Sequence, residues 1–186
     1  MQITGEFIRK VTDAVRACKP IMMGAFTVAE KGTSSNLVTT ADTSVQANLK
    51  EHLAQILPQA GFLGEEAPAE AALGALYWVV DPIDGTSNFA RGMRLSVISV
   101  ALVADEEEVF GMVYSPYSEE VFYAAKGQGA YLNGTRIGVS DRDFRHALFF
   151  TAFSVYEKKY APLCEDVLRE IYPDLDDFRR LGTAAL

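Results

Sequence analysis

Residues 77–89 read Tyr-Trp-Val-Val-Asp-Pro-Ile-Asp-Gly-Thr-Ser-Asn-Phe. Tyr77 to Val80 are aromatic or β-branched, which suits a buried strand. The strand runs straight into Asp81-Pro82-Ile83-Asp84-Gly85-Thr86, so two carboxylates stand one turn apart at the edge of an apolar interior. At ~4 Å and an effective dielectric of ~20, two such charges repel by about 4 kcal/mol. A divalent cation bound by both offsets that repulsion. Pro82 removes a backbone donor and stiffens the bend. Gly85 permits a conformation or close approach that a side chain would block. Thr86 sets a hydroxyl beside the carboxylates, and the amides of Gly85 and Thr86 can point into the same space. A helix starting near Ser87 would present further amides to an anion. The competing reading is a plain hairpin or strand-to-helix turn, because Asp, Pro, Gly and Asn are all turn formers.

Upstream, Ile3, Phe7, Val11, Ala14, Val15, Cys18, Ile21, Met22 and Ala25 recur at spacings of three and four. That period predicts an amphipathic helix over 3–29, kinked or broken by Pro20. Residues 30–38 are small and polar, as in a loop. A second helix is expected over 43–57, with Val45, Leu49, Leu53, Ile56 and Leu57 on one side and Pro58 stopping it. A short strand follows at 60–64, then an Ala-rich helical turn or loop at 67–75. Strands are expected at 76–81, 95–104, 109–115, 120–125 and 129–132. Leu95 to Val103 is almost wholly apolar or small, which predicts burial on both faces. Asp105 to Glu108 reads as a solvated hairpin tip, and Lys126-Gly127-Gln128-Gly129 and Asn133-Gly134 as turns. A strand from Ala147 to Phe153 and a helix over 156–171 complete the pattern. Helices first and then a run of adjacent strands indicate an α+β domain.

At 186 residues the chain suffices for one sizeable core or part of a larger one. Its formal charge of −8 disfavours nucleic acid or an anionic membrane as a partner through bulk electrostatics. A phosphate substrate would likewise be repelled unless cations were bound locally. The first ten residues carry Glu6, Arg9 and Lys10 with no long apolar run behind them, and no stretch reaches transmembrane length. Cys18 and Cys164 are isolated thiols without metal-type spacing; they read as small buried residues in a reducing, cytoplasmic compartment. His52 and His146 are isolated too, and read as structural or exposed. A metal site here would be built of carboxylates, hence magnesium or manganese rather than zinc.

Residues 77–89 closely resemble the signature of the inositol monophosphatase family, the magnesium-dependent, lithium-sensitive sugar phosphatases. Three further segments resemble family signatures in the same order: Lys31-Gly32 through Leu37-Val38-Thr39-Thr40-Ala41-Asp42, then Phe62-Leu63-Gly64-Glu65-Glu66, and finally Leu181-Gly182-Thr183-Ala184-Ala185. The resemblance implies a layered αβαβα fold. Residues 1–186 would supply the N-terminal helices and a mainly antiparallel sheet. A C-terminal α/β portion would follow Leu186 and carry a Trp-Asp element with a further metal ligand; the one Trp here, Trp78, lies in the strand.

The resemblance also implies roles. Glu65, Asp81 and the carbonyl of Ile83 would hold a first Mg2+, and Asp81 and Asp84 a second, with Asp81 bridging. Glu65 would help bind a weaker third ion. Asp42 would accept the Thr86 hydroxyl proton, so that Thr86 can orient the attacking water; Thr86, Asp42 and Glu65 form the catalytic set. Asp42 also reads as a helix N-cap ahead of Thr43 and Ser44. The Gly85 and Thr86 amides would contact phosphate, and Asp84 and Ala184 would lie near sugar or polyol hydroxyls. Lys31 and Asn36 would belong to a loop closing over the site, with Asn36 where many members carry Asp. Glu66 is set aside, since neighbouring strand residues point to opposite sides.

The expected activity is hydrolysis of a small phosphorylated polyol or sugar by a homodimer, with inositol monophosphate the default. Fructose-1,6-bisphosphate, histidinol phosphate and phosphoadenosine phosphate are alternatives; Ser87-Asn88-Phe89 favours the inositol type over the last of these. A reading from a different class is a catalytically incompetent fragment or metal-binding interaction protein. It follows from the further ligand lying outside these residues, and it predicts weak magnesium binding and poor turnover by residues 1–186 alone.

Overall fold

Trp78 is the largest side chain fully shut off from solvent, and the core is built around it. The computed structural model describes residues 2–32, 37–66, 73–151 and 157–186. Trp78 lies on strand β4 (Leu76–Asp84), here labelled by its place in the chain. Phe7 of helix α1 (Gly5–Ala17) stacks on it with ring centroids 5.8 Å apart, and meets Phe110 edge-on at 5.2 Å. Val11 and Val15 of α1, with Val45, Leu49 and Leu53 of helix α3 (Thr40–Ile56), pack into the same cluster as Val80, Val100, Leu102 and Met112. The helices therefore bury their apolar stripes against one face of a sheet.

That sheet has seven strands in chain order: β3 (Gly61–Gly64), β4, β5 (Val97–Ala104), β6 (Glu107–Ser115), β7 (Glu120–Ala125), β8 (Gly129–Leu132) and β9 (Thr135–Ile137). Only β3 and β4 run parallel; every other neighbouring pair is antiparallel. The architecture is thus α+β around a central, mostly antiparallel sheet.

Several boundaries move. The helix expected over 3–29 divides into α1 and a single turn, α2 (Lys19–Met22), with Pro20 in the first turn of α2, where its missing N–H costs nothing. Val28–Glu30 is then a strand, β1, paired with β2 (Leu37–Thr39), so the ends of the expected 30–38 loop form a hairpin. Residues 33–36, including Asn36, and 67–72 lie outside the described residues. The strand expected to stop at Asp81 runs on to Asp84. Asp81 pairs with Ser99 but Asp84 with Val97, so β4 carries one extra residue there: a β-bulge, where a proline such as Pro82 is tolerated.

Burial of β5 on both faces is complete only at its ends: Ile98, Val100 and Leu102 are buried on one side and Val97 and Val103 on the other, whereas Ser99 and Ala101 between them are half-buried. The far face carries Ser99, Ala101, Gly111, Val113, Phe122 and Ala124 around a shallow apolar hollow, and Ala185 and Leu186 line a second hollow with Val97, Val113 and Phe122. The acidic tip shortens to Asp105-Glu106, both at positive φ, the two-residue turn of a tight hairpin. Strand β10 (Leu148–Phe150) and helix α5 (Ala161–Ile171) are shorter than expected; β10 pairs in parallel with β11 (Asp177–Arg179), which was not anticipated, and neither was β9. Cys18 is buried, but Cys164 is only half-buried. No helix among the described residues is long and apolar enough to cross a membrane.

Candidate active site

The parallel pairing of β3 with β4 continues past Gly64, where the Glu65 amide donates to the Val80 carbonyl at 3.1 Å. This puts Glu65 beside Asp81. Burial pushes the Asp81 carboxyl up to about 8, aided by the charges of Glu65 and Asp84 and by a side-chain hydrogen bond with Glu65. Glu65, just past β3, and Asp84, at the end of β4, thus both press on Asp81. Asp81 keeps one stabilising contact, from the Ile83 amide to its Oδ1 at 3.1 Å.

Gly85 follows at φ +91, a left-handed conformation that glycine adopts without penalty. A Cβ there would come within 2.9 Å of the Leu95 carbonyl oxygen and 3.2 Å of Thr183 Cβ. The chain then turns into the one-and-a-half-turn helix α4 (Thr86–Ala90), one residue earlier than expected. Thr86 Oγ1 lies 3.1 Å from Asp42 Oδ1 and 3.0 Å from the Ile83 carbonyl oxygen.

Asp42 is not the N-cap of its helix but the third residue of α3. Thr39 is the cap, and the two form a reciprocal capping box. The Thr39 amide and hydroxyl donate to Asp42 Oδ2 at 2.7 and 2.6 Å. Asp42 is buried, so one oxygen is fixed by the helix start and the other is aimed at Thr86. Asp42 thus serves the helix start through one oxygen while the other faces the Thr86 hydroxyl.

Glu66, set aside on strand alternation, proves to be the buried partner of Lys31. Its side chain is 5% exposed against 52% for Glu65, and Lys31 Nζ lies 2.5 Å from Glu66 and 3.8 Å from Glu65. The Glu66 amide donates to Gln46 Oε1 at 2.9 Å. A Cβ on Gly64 would sit 2.3 Å from that oxygen, which is why glycine precedes the two glutamates. The alternation was right in direction; the missing signal was that Lys31, in another segment, occupies the inner side. Ala184 lies beside Asp84, its amide donating to Asp84 Oδ2 at 2.8 Å. His52 bonds to its own helix through the Asn48 carbonyl, and His146 is exposed beside Asp143.

The donor set fits a magnesium-like cation in chemistry. Carboxylates and the Ile83 carbonyl are hard oxygen ligands, and a cation would offset the burial and the neighbouring charges that raise Asp81. As they stand, no three His, Cys, Asp or Glu side chains among the described residues converge closely enough to enclose one ion. Glu65 leans toward Lys31, and Asp84 turns an oxygen toward residues 183–185.

The inositol monophosphatase family model matches residues 5–186, and the chain belongs to that family. It is 32% identical over 160 residues to a fructose-1,6-bisphosphatase/inositol-1-monophosphatase of Aquifex aeolicus, covering 86% of this chain and 60% of that protein. It is 33% identical over 164 residues to the Nus factor SuhB of Escherichia coli K12, covering 87% and 61%. The crystal structure of extragenic suppressor protein suhB from Bartonella henselae superimposes with a TM-score of 0.88 at 28% identity, over 97% of this chain and 72% of that one. The chain spans about 60% of the length of these curated relatives.

Proposed function

We propose that the protein is a magnesium-dependent phosphomonoesterase acting on a small sugar or polyol phosphate, with inositol monophosphate the first choice. The observation that carries the reading is the gathering of Glu65, Asp81 and Asp84 at the end of β4, beside a Thr86 hydroxyl that Asp42 can accept. When bound, two or three magnesium ions, or manganese, would supply charge neutralisation and water acidification. Glu65, Asp81 and the Ile83 carbonyl are assigned to the first ion, and Asp81 and Asp84 to the second. Thr86 has a single proton and two acceptors. Donation to Asp42 would leave the Thr86 oxygen lone pairs to orient a water, and the Ile83 carbonyl free for a cation. The Gly85 and Thr86 amides are assigned to the phosphate, Asp84 and Ala184 to substrate hydroxyls, and Lys31 and Asn36 to the covering loop.

Residues 1–186 are proposed as the N-terminal portion of one longer domain, which assembles as a homodimer. The apolar far face of the sheet supports this, since the extra length of the relatives would cover it. The Nus factor name of one relative favours a second reading, a metal-binding interaction protein without turnover. Phosphate release separates the two. Inositol 1-phosphate and fructose 1,6-bisphosphate are offered with magnesium and with a chelator, to the protein and to Glu65→Gln. Metal-dependent release from one substrate, lost in Glu65→Gln, is expected. Absence of release from every phosphate monoester would overturn the phosphatase reading.

A further inference from the structure

We infer that Thr183 is a positioning residue for Asp84: with the two amides after it, Thr183 saturates Oδ2 and leaves Oδ1 as the oxygen able to ligate a cation. The inference rests on the metal-dependent reading above. Asp84 Oδ2 accepts the Thr183 hydroxyl at 2.6 Å, the Ala184 amide at 2.8 Å and the Ala185 amide at 2.6 Å. A carboxylate offers about four lone-pair directions over its two oxygens. Three donors on Oδ2 therefore leave no direction there for a metal, and Asp84 must bind through one oxygen only.

The segment that supplies these donors is itself held. Asn88 Nδ2 lies 2.7 Å from the Leu181 carbonyl and 2.8 Å from that of Leu95. Asn88 is buried, so the contact is sheltered from competing water. Gly85 leaves space for Thr183 Cβ, which would stand 3.2 Å from an added side chain. Residues of the central motif thus clasp 181–185, and 183–185 in return fix the rotamer of a motif carboxylate. Partners that orient a ligand carboxylate typically matter by about tenfold to a hundredfold in metal affinity. Thr183 touches no reacting atom in this arrangement; it acts through Asp84.

The test is magnesium titration by calorimetry of the protein, Thr183→Val, Thr183→Ser and Asp84→Asn, with amide exchange at residues 184 and 185 followed in each. Thr183→Val keeps the side-chain shape and deletes the hydroxyl. It is expected to weaken, by about tenfold to a hundredfold, the ion whose binding Asp84→Asn removes, while the two amides stay protected. Thr183→Ser is expected to restore the affinity. Unchanged affinity in Thr183→Val would overturn the inference, as would equal loss in Thr183→Ser. Loss of affinity together with loss of amide protection would show a merely structural role, and would overturn it too. Magnesium bound without phosphate release would sink the phosphatase reading and leave this one standing. No magnesium bound by the unsubstituted protein would sink both.

Discussion

Thr86 stands between two acceptors with one proton to give, and that competition sets its expected behaviour. Removing the hydroxyl in Thr86→Ala should cost turnover by roughly 10²–10⁴-fold, the usual range for a group that manages a proton in the transition state. KM should move little, because orientation of the water matters only there. Steady-state kinetics would check this; wild-type turnover would remove Thr86 and Asp42 from the mechanism. Asp81 yields a second expectation. Its ordinary value is 3.8 and its folded value is about 8, so between these the folded state holds a proton that the unfolded state releases. Stability conferred by the protonated form is complete below about pH 4 and is lost as pH rises through about 8. The thermal midpoint of metal-free protein in chelator should therefore fall across that window, and Asp81→Asn should flatten the slope. A midpoint that rises with pH in both proteins would contradict the assigned environment. Glu65, Asp81, Asp84 and the Asp42–Thr86 pair were legible in the sequence, because their motifs are contiguous and resemble known signatures. Glu66 and Thr183 were not. Their partners lie 35 and 99 residues away, and no local period reports such a contact.

At the scale of elements, the unit that matters is strand β4, its bulge, the left-handed Gly85 and the short helix α4. The bulge makes room for Pro82 and turns two carboxylates toward the same end of the sheet, while Gly85 lets the chain pass under Leu95 and Thr183. Gly85→Ala should destabilise the fold by about 1–3 kcal/mol, from the unfavourable φ alone, with the close approach to the Leu95 carbonyl adding to it. Urea unfolding would measure the change; a loss under half a kcal/mol would mean the backbone relaxes freely there, and the site is softer than described. Periodicity located the main strands because their apolar residues alternate with half-buried ones. It overran the end of the first helix, because Ile21, Met22 and Ala25 continue the helical spacing past the break at Cys18. It missed β9 and β11, three residues each, which are too short to show a period. The start of α3 came three residues early for a specific reason: the Thr39–Asp42 capping box begins the helix at Thr40, whereas Asp42 alone reads as the cap.

Over the whole molecule, one face of the sheet is sealed by α1 and α3 and the other is apolar and half-open. The packing around Trp78, Phe7 and Phe110 gives the site a rigid floor, since β4 is held between β3 and β5 and its buried residues lie in the main core. Asp81 and Asp84 lie in that fixed strand, and burial with the charges of Glu65 and Asp84 raises the Asp81 carboxyl. With a net charge of −8, the proposed phosphate substrate would be drawn in only against locally bound positive charge. The order of helices and strands indicated the α+β class; it could not show that the far face is only half-covered, because small residues such as Ala101 and Gly111 read alike in a buried and an open sheet. The most direct measurement is a calorimetric titration of magnesium into the protein and into Asp81→Asn at equal pH, with circular dichroism confirming equal folding. A saturating isotherm for the protein, abolished in Asp81→Asn, is the expected result. Superimposable isotherms would contradict the assignment of this carboxylate cluster as the metal site.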